Sequence, residues 1–434
     1  MKKLGMLALA ALLVVSFTIP AWAMESQFGG YWRTRMYTNQ NFTGEDESEA
    51  MDQSLVDTRT RLYYTAVFHE NLKFVNKFEF DAKWGDTVLG DIGADGKIFE
   101  IKNSYADFNL GPVNAKVGIQ GGTLARGFLF SDDFSGAVVT FQGNGISLPF
   151  FWIKTFEGGT GPDANDMDVD LYAFAPSFNL GGGMVKVNPY VAWVYSDDVS
   201  GWNPYINYED RATPELKAND LNAEEYSIYY GGIDVDLNFD AASVWLTGIY
   251  QGGTIDLMDG NEIDVSAWLA AVGGKVNFGV ADVHGQFFYA TGDDDDDDYE
   301  SFFFVSQNQW TGQSYYWAEL MGYGIFDDIV SNNSPADKIS NIMAANIGTT
   351  IKPMDKLSIT LDVWYAALAE DIMVGTDEEN YLGTEVDLKI TYQLMKGLKL
   401  DVVGAYLFAG EATTMDHPDE ADPYEVGTQL SLSF

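Results

Sequence analysis

Apolar and polar residues alternate strictly along the carboxy-terminal part of the chain. Between residues 382 and 394 every second position is apolar or Thr, and the positions between carry polar residues that include Glu385, Asp387 and Lys389. A β-strand points successive side chains to opposite faces, so this pattern predicts a strand with one apolar and one polar face. The predicted apolar face consists of Leu382, Thr384, Val386, Leu388, Ile390, Tyr392 and Leu394.

The alternation recurs from Gln27 onward in segments that are joined in turn by short and by long connections. The short connections are rich in Gly, Asn, Asp and Pro, as hairpin turns require. Short turns at one end and long loops at the other are typical of an all-β, transmembrane, antiparallel β-barrel, which in bacteria has an even number of strands. The count is 18 when Gln313–Phe326 belongs to the loop Gly292–Lys338, and 16 is the alternative. The predicted long loops are Thr43–Gln53, Glu157–Asp166, Asp197–Ala223, Gly252–Glu262, Gly292–Lys338, Asp371–Asn380 and Glu411–Pro423.

The first residues predict a leader rather than a strand. Lys2 and Lys3 precede the apolar run Leu4–Val15, and Ala21-Trp22-Ala23 has the form of a signal-peptidase site. The apolar run is shorter than the roughly 20 residues that a membrane-spanning helix needs. The sequence therefore predicts a cleaved signal peptide, residues 1–23, and an outer-membrane β-barrel domain, residues 24–434.

The last strand, Tyr424–Phe434, also alternates and finishes on an aromatic residue. It resembles the carboxy-terminal signal of Gram-negative outer-membrane barrels, which the barrel-insertion machinery reads. The residues predicted to form this insertion signal are Tyr424, Leu430, Leu432 and Phe434.

Composition narrows the partners and the chemistry. The chain carries 65 acidic and 24 basic residues, a formal charge of −41, so binding to nucleic acid is not expected. It has no Cys, which excludes disulfides and thiolate metal sites. The expected partners are outer-membrane lipid and lipopolysaccharide, the insertion machinery and small polar solutes, with the protein a monomer or a trimer in the cell outer membrane of a Gram-negative bacterium.

One hairpin suggests a family. Tyr381–Gly410 resembles the penultimate hairpin of the alginate-export family of outer-membrane porins, and Asp57–Asp86 and Lys116–Gly122 are similar to early strands of that family. The resemblance implies an 18-stranded monomeric barrel that passes an anionic polymer or smaller polar solutes. The sequence departs from the family at Ile119, where Arg is expected.

Four of the six arginines form two pairs with a spacing of two, which places each pair on one face of a strand. Apolar neighbours occupy the opposite faces, so the arginines are predicted to face the lumen at one depth. Two interpretations remain open: the arginines pair with nearby acids and hold the wall, or they form a basic patch that attracts anions. The residues concerned are Arg33, Arg35, Arg59 and Arg61 with Asp57, Glu79 and Asp81.

Acidic residues are predicted to face the lumen on other strands. Asp234 and Asp236 lie on the tenth predicted strand, nearly opposite the first, and Glu385 and Asp387 lie on the sixteenth. A basic wall facing an acidic wall would produce a transverse field that favours small dipolar solutes.

A run of six acids opens the longest loop. Such a run usually forms a solvated segment, although carboxylates also bind calcium or magnesium, and no other cofactor is expected. Further along, the loop has aromatic residues that either fold into the barrel mouth and narrow it or cap the outside, and we expect partial constriction. The acids are Asp293, Asp294, Asp295, Asp296, Asp297 and Asp298, and the aromatics are Trp310, Tyr315, Tyr316, Trp317 and Phe326.

These features predict a porin, a water-filled channel for passive diffusion of small hydrophilic or anionic solutes. The alternatives are an exopolysaccharide (alginate-like) export channel and a barrel sheath that houses a periplasmic or electron-transfer partner. An enzyme is not expected, because none of the three histidines joins a Ser or an Asp in a recognisable catalytic motif.

Overall fold

The barrel wall contains 18 antiparallel strands within the part of the chain that the computed structural model describes, residues 24–46, 48, 50–86, 98–158, 168–197, 223–294, 298–304 and 314–434. The predicted signal peptide lies outside these residues. The strands are β1 Glu25–Gln40, β2 Gln53–His69, β3 Leu72–Lys83, β4 Ile98–Leu110, β5 Val113–Leu124, β6 Phe130–Gly143, β7 Ile146–Phe156, β8 in two segments Val169–Phe174 and Ser177–Leu180, β9 Val185–Ser196, β10 Ala223–Asn238, β11 Ala242–Leu257, β12 Glu262–Asn277, β13 Ala281–Ala290, β14 Ile342–Met354, β15 Leu357–Val374, β16 Asp377–Met395, β17 Leu398–Ala409 and β18 Tyr424–Ser433.

The sheet is closed. Each strand pairs antiparallel with the next, and β1 pairs with both β2 and β18. The two segments of β8 both pair with β7 and β9, and they are separated at Ala175 and Pro176, where proline lacks the N–H that a ladder needs. They therefore count as one strand. The predicted 18-stranded barrel is confirmed, and the described residues of Gln313–Phe326 contain no strand.

The connections alternate in length, as predicted. Tight turns such as Gly111–Pro112 gather at one end, here called the short-turn end, and the longer connections at the other, the loop end. Two of the predicted long loops, Gly252–Glu262 and Asp371–Asn380, were wrong. Most residues of both segments belong to the flanking strands, and the second connection is reduced to Gly375 and Thr376. Backbone pairing extends beyond the apolar band there because ladder hydrogen bonds do not depend on side-chain polarity.

The outer face is apolar and the inner face is polar. On β1 the outward Phe28 and Met36 are 80% and 58% exposed, whereas the inward Arg33 and Arg35 are 8% and 5% exposed. On β16 the predicted alternation holds from Thr384 onward. It fails at Leu382, which is buried, because a β-bulge next to Gly383 shifts the register there.

The connection between β13 and β14, residues 291–341 and here called the inner loop, folds into the barrel. Leu320 and Met321 at its centre have no exposed surface, and Phe326 stacks on Tyr37 of β1 with ring centroids 4.6 Å apart. Trp317 packs edge-to-face on Trp364 of β15. The described part of the inner loop therefore fills much of the lumen, as expected from its aromatic residues; Trp310 lies outside the described residues.

The other side of the lumen is packed by the connection between β5 and β6. Phe128 of that connection is fully buried and stacks on Tyr315 of the inner loop, with ring centroids 3.7 Å apart. Together these residues belong to one apolar cluster that crosses the barrel near its loop end. No helix among the described residues is long and apolar enough to cross a membrane.

Candidate functional site

Strands β1 and β2 bring the four arginines together on one wall. Arg33 is the register partner of Arg59, and Arg61 lies opposite Tyr31 two register pairs further toward the short-turn end. Arg35 lies opposite Asp57. All four arginines thus lie at a similar depth on the inner face, and like charges directly across a strand pair require compensation.

Carboxylates of β2 and β3 provide part of that compensation. Arg35 donates from Nε to Asp57 Oδ1 over 2.9 Å. Arg59 donates through two nitrogens to Asp81, over 2.8 and 2.7 Å, and Arg61 donates to Glu79. Such two-point contacts fix the planar guanidinium against the wall. These contacts favour the wall-holding interpretation of the arginines.

The inner loop provides the rest through Asp327. Arg33 Nη2 donates to Asp327 Oδ1 over 3.1 Å, Arg35 also pairs with this carboxylate, and Arg59 Nη1 lies 3.9 Å from Oδ2. Asp327 is thus shared by three arginines. The next residue, Asp328, accepts a hydrogen bond of 2.8 Å from the hydroxyl of Tyr37.

A cavity of about 390 Å³, here called the arginine cavity, lies between this wall and the inner loop on the loop-end side. Four basic and five acidic side chains line this cavity. A basic patch with net positive charge is therefore not formed in this conformation. The charged lining residues are Arg33, Arg35, Arg59, Lys83, Asp57, Asp81, Asp86, Asp327 and Asp328.

The predicted acidic wall on β10 is also paired. Arg126, from the connection between β5 and β6, donates to Asp236 over 2.8 Å and lies 3.9 Å from Asp234. Thr247 of β11 accepts from Arg126 Nε and donates to Asp234. Sequence reasoning missed Arg126 because it is isolated between two strands, where no periodic pattern indicates its direction. Both walls thus carry ion pairs rather than opposed free charges.

Glu385 and Asp387 hold the inner loop in place. Glu385 is fully buried and accepts the backbone N–H groups of Leu320 and Met321 over 2.7 and 3.0 Å. Asp387 Oδ2 accepts the N–H of Glu319 over 3.4 Å, whereas its Oδ1 is buried without a hydrogen-bond partner. These carboxylates cap backbone donors that would otherwise be buried unsatisfied.

A second cavity, of about 620 Å³, lies on the short-turn side of the inner loop and is here called the short-turn cavity. Its wall comes from β11 to β16, and Trp317 and Glu319 of the inner loop also line it. His284 bridges two acids there, with Nδ1 2.9 Å from Asp282 and Nε2 3.0 Å from Asp362. Sequence analysis found no catalytic motif around His284, one of the three histidines, and did not identify this network.

The structure describes only part of the acidic run that was predicted as a cation-binding loop. Asp293 accepts the N–H of Glu300 over 3.0 Å, while Asp295, Asp296 and Asp297 lie outside the described residues, so the cation-binding loop stays a prediction. Among the described residues no group of three or more His, Cys, Asp or Glu side chains could hold a metal ion.

The insertion signal, too, stays a prediction; its residues Tyr424, Leu430, Leu432 and Phe434 lie on the outward face of β18 or just beyond its end.

The fold has relatives among solved structures. The chain is similar to the Pseudomonas aeruginosa protein OccK9 (OpdG), with a TM-score of 0.58, 10% identity and coverage of 94% of this chain and 99% of that one. A BenF-like porin from Pseudomonas fluorescens Pf-5 gives a TM-score of 0.56 at 12% identity, covering 94% and 99%. OpdK of Pseudomonas aeruginosa, solved with vanillate, gives 0.54 at 10% identity, covering 94% and 98%.

These likenesses establish the fold over almost the whole of both chains. No protein-family model matches the sequence, and no curated protein matches it. The resemblance to the alginate-export family therefore has no specific support beyond the shared barrel architecture.

Proposed function

We propose that the protein is an outer-membrane channel of a Gram-negative bacterium that passes small hydrophilic solutes by passive diffusion. The observation that carries this proposal is a closed 18-stranded barrel whose outer face is apolar and whose charged lumen is narrowed by its own inner loop. An apolar outer face matches lipid, and a polar lumen matches water. In this arrangement the short-turn end faces the periplasm.

The narrowing indicates a channel that selects its solutes. The arginine cavity and the short-turn cavity have volumes of about 390 and 620 Å³, in the range of small-molecule sites. Residues of the inner loop line both cavities, so a solute in either one contacts this loop. Porins with open lumens discriminate mainly by size, whereas a lined constriction also discriminates by charge and hydrogen bonding.

An anionic solute can bind the arginines by displacing the carboxylate of Asp327. The carboxylate of Asp327 occupies the position between Arg33, Arg35 and Arg59 that a solute carboxylate would take. An entering anion would replace one charge-assisted partner by another, so the arginines need not be left unpaired. The fold relative OpdK, which has been solved with vanillate, supports this extension to organic anions.

The two alternatives fit less well. An exopolysaccharide export channel would need room for a continuous anionic polymer, and the packed apolar cluster near the loop end opposes this. A sheath for a protein partner would need a wide lumen, whereas the two cavities have small-molecule volumes.

The test is the conductance of the purified full chain in a planar lipid bilayer. We expect stepwise, ohmic current increments, and their reversal potential in a salt gradient gives the ion preference. A correctly folded barrel that inserts but conducts no ions would end the proposal. Copurification of a second protein together with loss of conductance would favour the sheath.

A further inference from the structure

The short-turn cavity has ordinary dimensions for a ligand site, but its lining differs from that of the arginine cavity. Hydroxyl and amide side chains are frequent, and charged groups of both signs are present. The hydroxyl and amide residues are Ser243, Gln286, Asn346, Thr360 and Thr391. Such a lining offers donors and acceptors in several directions without one dominant charge.

Half of its six ionisable side chains are already paired within the wall. Lys275 lies 2.8 Å from Asp282, and His284 connects Asp282 to Asp362. Gly348 makes this possible, because a Cβ at that position would overlap both His284 and Asp362. Asn346 donates to Asp362 over 2.8 Å. The network therefore needs no counter-ion from a solute.

One charged group remains available. Asp387 is not that group, because its Oδ1 is buried and its carboxyl lies against the carboxyl of Glu385 on the same inner face. Lys389, two residues further on the same inner face, makes no ion pair among the described residues. An ammonium group without a close carboxylate favours a ligand that brings hydrogen-bond acceptors. A metal ion is disfavoured, because the carboxylates in the described residues do not converge on one point.

Tryptophan rings supply flat apolar surfaces beside these polar groups. Trp245 is not one of them, because its ring lies against Gly273 and the guanidinium of Arg126 lies over it, 5.1 Å from the ring centroid. Trp317 and Trp364 meet edge-to-face with centroids 5.2 Å apart and also line the cavity. Flat rings next to hydrogen-bonding groups match the apolar C–H face and the hydroxyl rim of a sugar ring.

We propose that the short-turn cavity is a second solute site, which binds a neutral polyhydroxylated molecule of mono- or disaccharide size. Lys389 donates to a ligand oxygen, the hydroxyl and amide side chains of the wall exchange hydrogen bonds with ligand hydroxyls, and Trp317 and Trp364 contact the apolar face of the ring. The site lies between the inner loop and the short-turn end, so it retains a solute that has passed the constriction. The inference rests on the proposed channel function for its role in passage, but not for binding itself.

The experiment measures current through single channels of the full chain in a bilayer while maltose is added to one side at a time. We expect concentration-dependent block, with higher apparent affinity from the short-turn side. Lys389→Met keeps the length and loses the donor, so it should weaken block about tenfold, since one hydrogen bond to a charged group is lost. Lys356→Met is the matched control, because Lys356 is exposed in the turn between β14 and β15 and does not line the cavity.

The possible outcomes distinguish failure of the proposed site from failure of the proposed channel function. Absence of block by maltose in a conducting channel overturns the inference and leaves the proposed function intact. Stronger block by benzoate than by maltose, if weakened equally by Lys389→Met, also overturns it, because the site would then select an anion. If the protein does not conduct, calorimetric titration of maltose into the detergent-solubilised chain decides: binding weakened by Lys389→Met supports the site, and no binding refutes it.

Discussion

Arg33 lies directly opposite Arg59 across the β1–β2 pair. Two guanidinium groups in register repel each other, and the wall carboxylates neutralise only part of that charge. The remaining compensation comes from Asp327, which is 294 residues from Arg33 in sequence. Neutralisation of the arginines and docking of the inner loop are therefore the same interaction, and a change to one affects the other.

Replacing Asp327 with Asn should make the channel more selective for anions. One negative charge is lost beside three arginines. At water-like dielectric and contact distance this changes the free energy of a monovalent ion by about 1 kcal/mol, roughly a fivefold change for each ion and of opposite sign for anion and cation. The reversal potential in a potassium chloride gradient measures it. Asp355→Asn, an exposed acid in the turn between β14 and β15, is the control and should change the potential much less.

Replacing Arg33, Arg35, Arg59 and Arg61 together with Ser should shift selectivity toward cations. The acids that these arginines neutralise, including the buried Glu79, would then dominate the wall. The same salt-gradient measurement applies. The double variant Arg59→Ser with Asp81→Ser leaves the net charge unchanged and should shift the reversal potential little. An unchanged potential in the fourfold variant would remove these arginines from the conduction path.

Glu385→Gln should loosen the inner loop. The carboxylate accepts two backbone N–H groups, and a neutral amide offers one acceptor oxygen in its place. Loss of one charge-assisted hydrogen bond corresponds to about 1.5–3 kcal/mol of docking free energy. We expect larger current fluctuations and higher mean conductance in single-channel records. Glu378→Gln, at an exposed position near the start of β16, should leave the records unchanged.

Docking of the inner loop should weaken as the pH rises from about 4 to about 7. Burial raises the pKa of Asp337, a residue of the inner loop, to about 7. The undocked loop ionises this carboxyl near its ordinary pKa of about 4, whereas the docked loop keeps it protonated until about pH 7. Protonation at low pH therefore favours docking. Burial lowers the pKa of the neighbouring Lys338 to about 8, so Lys338 stays charged across this interval and adds no slope.

Current fluctuations recorded between pH 4.5 and pH 7.5 test this pH dependence. They should increase with pH in the natural chain and depend less on pH in Asp337→Asn, which cannot ionise. A variant with the full pH dependence of the natural chain would assign the effect to another group.

The wall was predictable because strand side chains have a period of two. That period correctly placed Glu385 and Asp387 on the inner face, since charged residues on alternate positions cannot all face lipid. It could not predict the bulge that buries Leu382, because one extra residue leaves the composition unchanged. Nor could it predict the length of the β11 and β12 strands, whose polar outer parts pair through the backbone.

The contents of the lumen were much less predictable. The aromatic residues of the inner loop indicated that it folds inward, but no local pattern connects Leu320 with Glu385 or Asp327 with Arg33. Arg126 likewise reaches Asp236 from a connection that lacks periodicity. These contacts depend on how distant segments meet in three dimensions, so they become visible only in the assembled barrel.

The inner loop also determines an order of events during folding. Its partners on β1 and β16 belong to a single surface only after β18 has paired with β1, so its contacts with both strands cannot all form before the barrel closes. Contacts so distant in sequence form late because of their closure entropy. A freshly inserted barrel would therefore pass through a stage with an unobstructed interior, and docking of the inner loop would be the maturation step that turns a leaky pore into a selective one.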